Sequence, residues 1–250
     1  DHPRYNWLYE SEPEPYLMGA KQYLPRGKTL GGTSSINGMI YSRGQRRDFD
    51  HWRDLGNVGW GYSDVAPYFE KAENNELGAA YGRPVGGPLY VANLPRNELA
   101  DAFIRAGVEA GYPETDLRDG SHEDGFGYNQ LTIRNGRRCS VAVAYLHPAR
   151  KRKNLRVLTN ALASRILFEG KTAVGVEYRT GSFTRIVRAR REVIVSGGAF
   201  NSPQLLQRSG VGPADLLVKH GIPIVSDLPG CGENLQDHFG FWGSYRCSKP

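Results

Sequence analysis

Cysteine is scarce in this chain. Cys139, Cys231 and Cys247 are the only three in 250 residues, and no two of them form a C-x-x-C pair. An odd number at such wide spacing excludes a disulfide scaffold and a zinc site, and it suits a reducing compartment. The six histidines (His2, His51, His122, His147, His220 and His238) show no H-E-x-x-H or related spacing, so we expect no metal. No apolar run approaches the roughly 18 residues that a membrane-crossing helix needs. The opening residues, D-H-P-R-Y-N-W, have no apolar core of the kind a signal peptide carries. Internal repeats and low-complexity tracts are also missing.

Acidic residues are in the minority, and the net charge is +6. The surplus gathers at Arg137-Arg138, at 150–153 and at 185–191. A single-strand nucleic-acid surface interleaves such basics with aromatic rings, and Lys151-Arg152-Lys153 contains none. A solvated face or attraction to an anionic cofactor accounts for the charge better, and no nucleic-acid partner is expected. With 39% hydrophobic and 23% charged residues, the composition is that of an ordinary globular protein. The length allows one large domain or two smaller ones.

What the chain has in abundance is glycine, and it is concentrated. Arg26 to Asn37 reads R-G-K-T-L-G-G-T-S-S-I-N. Glycine lets a backbone approach a flat or phosphorylated ligand closely, and the neighbouring hydroxyls and N–H groups can bond to it. Taken alone, the stretch fits a ligand cradle or a polar surface loop.

The rest of the chain divides into recognisable elements. Residues 1–25, rich in Pro, Tyr and Glu, predict an extended segment. Ser63 predicts an N-cap for an amphipathic helix presenting Val65, Tyr68, Phe69 and Ala72, with Pro67 near its first turn. A Gly/Pro-rich loop follows over 79–88. A second helix presents Leu99, Ala102, Phe103, Ala106 and Ala110 and stops at Gly111. Residues 122–128 are again glycine-rich, and 140–146 are left without a type. Leu155 to Thr159 reads as a strand. Arg165 to Glu169, Ala173 to Tyr178 and Phe183 to Val187, separated by Gly170-Lys171 and Gly181-Ser182, predict a three-stranded antiparallel meander. Val193-Ile194-Val195 is a short apolar run that reads as a strand buried on both faces. It ends in Ser196-Gly197-Gly198, and Ser202-Pro203 then reads as an N-cap followed by Pro at the first helical position. That helix ends at Ser209-Gly210. A strand, a glycine turn and a helix N-terminus together present donors to an anion.

Two Gly-rich signatures in this order resemble those of the glucose–methanol–choline (GMC) family of flavin oxidoreductases. The first is Gly27 to Tyr41. The second is Gly198-Ala199-Phe200-Asn201-Ser202-Pro203-Gln204-Leu205-Leu206, closing with Ser209-Gly210-Val211-Gly212-Pro213. Gly59-Trp60-Gly61-Tyr62, Asn135 to Ser140 with Ala144-Tyr145-Leu146, and Leu228 to His238 are also similar to the family, so the resemblance covers nearly the whole chain. It implies a mixed α/β fold: part of a Rossmann-like FAD-binding domain with part of an antiparallel-sheet substrate domain. Residues 1–78 and 151–237 would belong to the former, and 79–150 and the start of a second segment at 238–250 to the latter.

The resemblance also implies FAD and a set of contacts. Thr29, Gly31, Gly32 and the segment Asn37, Gly38, Met39 and Ile40 would lie against the flavin and its pyrophosphate. The backbone of Ala163 would meet the adenine, with Gly197 and Gly198 nearby, and Asn234 to Asp237 would lie close to the flavin. Some relatives carry a covalently linking histidine at the place of Ile36. Isoleucine has no nucleophile, so the FAD is expected to be dissociable. For Asn201 and Ser202 a plain capping role stands beside this, for Trp60 a core role, and for Arg137 that of a hairpin charge.

The family's opening G-x-G-x-x-G and its catalytic pair, a histidine with a second histidine or an asparagine, match nothing here, and His238 looks structural. The chain therefore reads as an internal fragment with no catalytic residue of its own. The parent would oxidise the CH–OH group of a choline-like or aliphatic primary alcohol, with a histidine base assisting hydride transfer to the flavin. Oxygen or a quinone would take the electrons, in the cytoplasm or peripheral to the inner membrane. A flavin-containing hydroxynitrile lyase of the same fold and a noncatalytic basic binding module are the alternatives.

Overall fold

The N-terminal segment folds back on itself before any larger element forms. In a computed structural model, which describes residues 2–115, 125–237 and Arg246, β1 (Tyr9–Glu10) pairs antiparallel with β2 (Tyr23–Leu24) around a single 3-10 turn at Pro15–Leu17. His122, His238 and, apart from Arg246, the segment expected over 238–250 lie outside the described residues. The chain divides into two compact units, Asp1–Arg156 and Val157–Pro250.

In the first unit a loop with a 3-10 turn at Gly32–Ser35 leads into β3 (Ile40–Tyr41). Helix α1 (Arg46–Asp54) follows, its start marked by the Asp48 carboxylate accepting from the Gln45 N–H at 3.2 Å. Helix α2 (Tyr62–Ala72) begins one residue before Ser63. Gly61, not Ser63, is its N-cap, and Asp64 accepts from the Gly61 N–H at 3.1 Å. The acidic side chain three places after Gly61 takes the N-cap N–H, which fixes the N-cap two residues before Ser63. Pro67 consequently sits two residues further inside the helix than expected. Phe49 packs edge-to-face on Trp52 and Phe69, which joins α1 to α2. Trp60, expected in a core, is 53% exposed and meets Trp52 by its edge.

Strands β4 (Glu73–Asn75), β5 (Leu89–Asn93) and β6 (Gln130–Leu131) complete a four-stranded sheet in the order β3-β6-β5-β4, mixed in direction. Helix α3 (Glu98–Glu109) lies between β5 and β6 in the chain, capped by Asn97 Oδ1, which accepts from the Ala100 N–H at 2.9 Å. It buries Ile104 and Gly107, and not the expected Leu99–Ala110 stripe: Leu99 and Phe103 are 63% and 57% exposed. The reason is steric. A Cβ on Gly107 would come within 2.4 Å of the Phe126 ring, so the helix seats its flattest side on that ring. The hairpin β7 (Ile133–Arg134) and β8 (Arg137–Arg138) turns at Asn135-Gly136, both at positive φ as a two-residue I′ turn requires. Of residues 140–146 all but Ser140 prove helical, with a π-helical turn at Ala142–Leu146 running into α4 (His147–Ala149).

The second unit holds the meander. Strands β9 (Leu162–Glu169), β10 (Thr172–Thr180) and β11 (Phe183–Arg188) are antiparallel with β10 in the middle, as the glycine spacing predicts. Helix α5 (Gly198–Arg208) packs on β9, where Ser209 Oγ accepts from the Ile166 N–H at 2.8 Å. Two short parallel strands, β12 (Val211–Gly212) and β13 (Ser226–Asp227), flank α6 (Ala214–Lys219), whose Leu217 is almost fully buried.

Three expectations fail in this unit. Leu155 to Thr159 forms no strand and is exposed, with no neighbouring strand among the described residues to pair with. Val193 to Val195 likewise joins no sheet, and Ile194 is 79% exposed. A buried strand needs ladder partners on its edges, and none of the described strands supplies them. Ser202 and Pro203 lie inside α5 rather than at its start. Gly197 is the N-cap, and the Ser202 hydroxyl reaches back to accept from its N–H at 2.9 Å.

Candidate functional site

The Gly-rich loop of the first unit is held at both ends. At its entrance Asn6, a buried amide, accepts from the N–H groups of Arg26 (3.0 Å) and Leu8 (3.1 Å) and donates to Tyr23 Oη (2.6 Å). The Trp7 and Lys28 N–H groups bond to the carbonyls of Arg26 and Tyr5, and the Lys28 ammonium lies 4.8 Å from the Trp7 ring centre. The loop then doubles back so tightly that a Cβ on Gly27 would lie 2.2 Å from the Gly32 carbonyl oxygen. Only glycine fits there. Gly31, at φ +87°, makes the turn into the 3-10 segment.

Three of the loop's hydroxyls are spent on backbone groups. Thr33 Oγ1 accepts from the Gly27 N–H, Ser35 donates to the Leu30 carbonyl at 2.8 Å, and Ser34 donates to the Gly31 carbonyl and accepts from the Val141 N–H. Sequence reasoning treats these side chains as ligand donors; here they are scaffold. At the exit Arg138 Nη1 donates to the Asn37 carbonyl (2.7 Å), to Asn37 Oδ1 (2.8 Å) and to the Ser34 carbonyl (3.2 Å). Asn37 Oδ1 also accepts from the Met39 N–H at 3.1 Å, and the Met39 carbonyl accepts from the Thr132 N–H at 2.9 Å.

What remains open faces outward. Asn37, Gly38 and Ile40 are exposed, as is Thr29. Neither the Thr29 hydroxyl nor the Gly38 N–H makes a hydrogen bond among the described residues, and a Cβ built on Gly38 would meet nothing within 4 Å. Gly31, Gly32 and Met39 are half-buried, as is Ile36.

Ala163 and Gly198 belong to the second unit. Ala163 is exposed near the start of β9, opposite Tyr178. Gly198 opens α5 at φ +85°. The loop after β13 is tied to α5 by Gln207 Nε2, which donates to the Cys231 carbonyl at 2.7 Å.

Arg138 and Asn6 are the residues sequence reasoning missed. The hairpin signal at Asn135-Gly136 was available, and strand alternation from it turns Arg137 outward and Arg138 inward. Nothing local marks Asn6.

Immediately beyond the loop lies a buried ionic cluster. Glu73 is fully buried and accepts from Arg43 Nη2 (2.5 Å), Tyr41 Oη (2.9 Å) and Asn75 Nδ2 (2.8 Å). Burial pushes its carboxyl pKa up, but the hydrogen bonds from Arg43 and Asn75 and the Arg43 charge outweigh this and hold it below the usual carboxylate range. Burial and then the Glu73 charge push the Tyr41 phenol up to about 12, so it remains a neutral donor. No group of three or more His, Cys, Asp or Glu able to hold a metal is found among the described residues. Nor is any helix among them long and apolar enough to cross a membrane.

Residues 15–240 match the model of the GMC oxidoreductase family. The chain is 49% identical over 247 residues to an oxygen-dependent choline dehydrogenase of Brucella anthropi, covering 98% of this chain and 45% of that protein. A protein of the same name from Pectobacterium atrosepticum is 49% identical over 251 residues, with 99% and 45% covered. Among solved structures, pyridoxine 4-oxidase from Mesorbium loti superposes with a TM-score of 0.82 at 36% identity, over 90% of this chain and 45% of that one. An FAD-dependent oxidoreductase from Chaetomium thermophilum gives 0.82 at 32% identity, over 90% and 42%. The chain spans somewhat under half the length of these relatives, and its content is the mixture of helix and strand expected. It belongs to the GMC oxidoreductase family.

Proposed function

We propose that this chain supplies much of the FAD cradle of a larger flavin-dependent oxidoreductase acting on the CH–OH group of a primary alcohol. The observation that carries this is the loop from Gly27 to Ile40. It is held at both ends, it bonds the Thr33, Ser34 and Ser35 hydroxyls to backbone groups, and it leaves the Thr29 hydroxyl and the Gly38 N–H unpartnered among the described residues, at exposed positions. A flat, hydrogen-bonding cofactor suits such a loop.

In this reading Thr29, Gly31, Gly32 and Asn37 to Ile40 bear on the flavin and its pyrophosphate. Gly198, at the start of a helix, serves the adenine end together with the backbone of Ala163. Ile36 offers no nucleophile, so the FAD is held without a covalent bond. Residues 1–78 and 151–237 are assigned to the FAD-binding domain and 79–150 to the substrate domain. Bound FAD would supply hydride-accepting chemistry for the alcohol carbon, and a histidine base would hold the hydroxyl proton. None of the described histidines lies in the loop or bonds to it, so we place that base outside these residues.

The relatives' name favours choline or a similar alcohol as substrate and oxygen as acceptor. No relative named above supports a hydroxynitrile lyase or a noncatalytic basic module. A cytoplasmic location, or one peripheral to the inner membrane, fits the cysteine usage. The test is spectroscopic. The full-length protein should purify with a flavin spectrum that choline or a short aliphatic alcohol bleaches anaerobically. A colourless protein that takes up no added FAD contradicts the reading. The isolated 250-residue chain should turn over no alcohol with any acceptor.

A further inference from the structure

The face of the sheet behind the loop is unusually polar for a buried surface. The pairs Tyr41↔Gln130 and Gln130↔Asn93 align three strands, and Asn75 and Glu73 stand opposite Val91 and Leu89 on the fourth. Residues two apart on a strand share a face, so Tyr41, Gln130, Asn93, Asn75 and Glu73 lie on one side. From Glu73 the hydrogen bonds run through Asn75 to Gln130 Oε1 (3.3 Å) and from Gln130 Nε2 to Asn93 Oδ1 (2.7 Å).

A buried pair such as Arg43–Glu73 is a poor way to gain stability, because apolar residues of similar volume often serve as well or better. The pair is not fully satisfied either: Arg43 Nε is buried without an acceptor. The best-attested use of such groups is to fix a register. β3 needs that help. It is two residues long, and so short a ladder specifies its register weakly. A slip by one residue would exchange the faces of Ile40 and Tyr41 and draw the adjoining Asn37–Met39 segment along by about 3.3 Å.

We propose that Glu73 is a positioning residue: by gripping Tyr41 and Arg43 on either side of Ser42, it locks the register of β3 and so sets where Asn37 to Ile40 meets the flavin. This rests on the reading of that segment as the FAD cradle.

The test uses the full-length protein and the triple variant Tyr41→Phe/Arg43→Met/Glu73→Leu, which removes the whole polar grip and leaves no charge unpaired. FAD affinity is measured by titration of the stripped protein, and stability by thermal unfolding of the same apo form. The expected result is a melting temperature close to wild type with FAD binding at least tenfold weaker and a shifted flavin absorption band. A triple variant that melts and binds FAD like the wild type overturns the proposal. If it does not fold, Tyr41→Phe alone decides, since it keeps the ion pair: FAD binding weakened about threefold at unchanged melting supports the lock, and unchanged binding overturns it. Wild-type protein that binds no FAD refutes the cradle itself, an outcome distinct from either.

Discussion

Arg138 holds Asn37 twice, at its carbonyl and at its side-chain oxygen, from a hairpin about a hundred residues further along the chain. A single guanidinium nitrogen therefore fixes the exit of the Gly-rich loop, while Asn6 fixes its entrance. The loop is positioned by distant parts of the chain rather than by its own sequence, and the consequences can be measured.

Replacing Arg138 by alanine removes three charge-assisted hydrogen bonds from a half-buried site. Bonds of this kind contribute about 1.5–3 kcal/mol. With part of that loss borne by loop order, FAD should bind about tenfold more weakly. Titration of the apo protein with FAD checks this, and Arg137→Ala, which alters the exposed neighbour, should leave affinity unchanged.

Ile36 gives a prediction that needs no variant. Acid precipitation of the full-length holoprotein should release all of its FAD into the supernatant. Flavin that stays with the pellet would contradict a cradle without a covalent bond.

Glu73 predicts a specific acid sensitivity. Its folded pKa is lowered, so its contribution to stability is present above the ordinary glutamate value and is lost as pH falls through the folded value. Melting temperature should therefore fall more steeply on acidification in the wild type than in the Tyr41→Phe/Arg43→Met/Glu73→Leu variant. Parallel curves would mean that the carboxylate contributes nothing. At neutral pH, Glu73→Gln alone should cost about 3–5 kcal/mol, because it leaves the buried Arg43 charge uncompensated.

Much of this was legible in the sequence where the signal is local. The meander followed from strand alternation and two glycine turns, and the family from two glycine signatures. The failures share a cause in packing. Leu99 and Phe103 form a convincing apolar stripe, yet α3 buries Ile104 and Gly107, with Gly107 against the Phe126 ring and Phe103 meeting that ring only by its edge. Ser63 and Ser202 are good caps by type, but Asp64 and Gly197 determine the helix starts. Val193–Val195 has a strand's composition without strands beside it. The hydroxyls of Thr33, Ser34 and Ser35 resemble ligand donors, but they bond to backbone groups of the loop and of Val141.

The central claim is that the open surface at Gly38 receives the flavin, and Gly38→Ala tests it most directly. Gly38 has no positive φ, and an added methyl would meet no protein atom within 4 Å, so the fold should tolerate it. Measured together by titration and thermal unfolding in the full-length apo protein, the variant should melt as the wild type does while binding FAD at least tenfold more weakly. Unchanged FAD affinity in a normally folded Gly38→Ala protein would contradict the account.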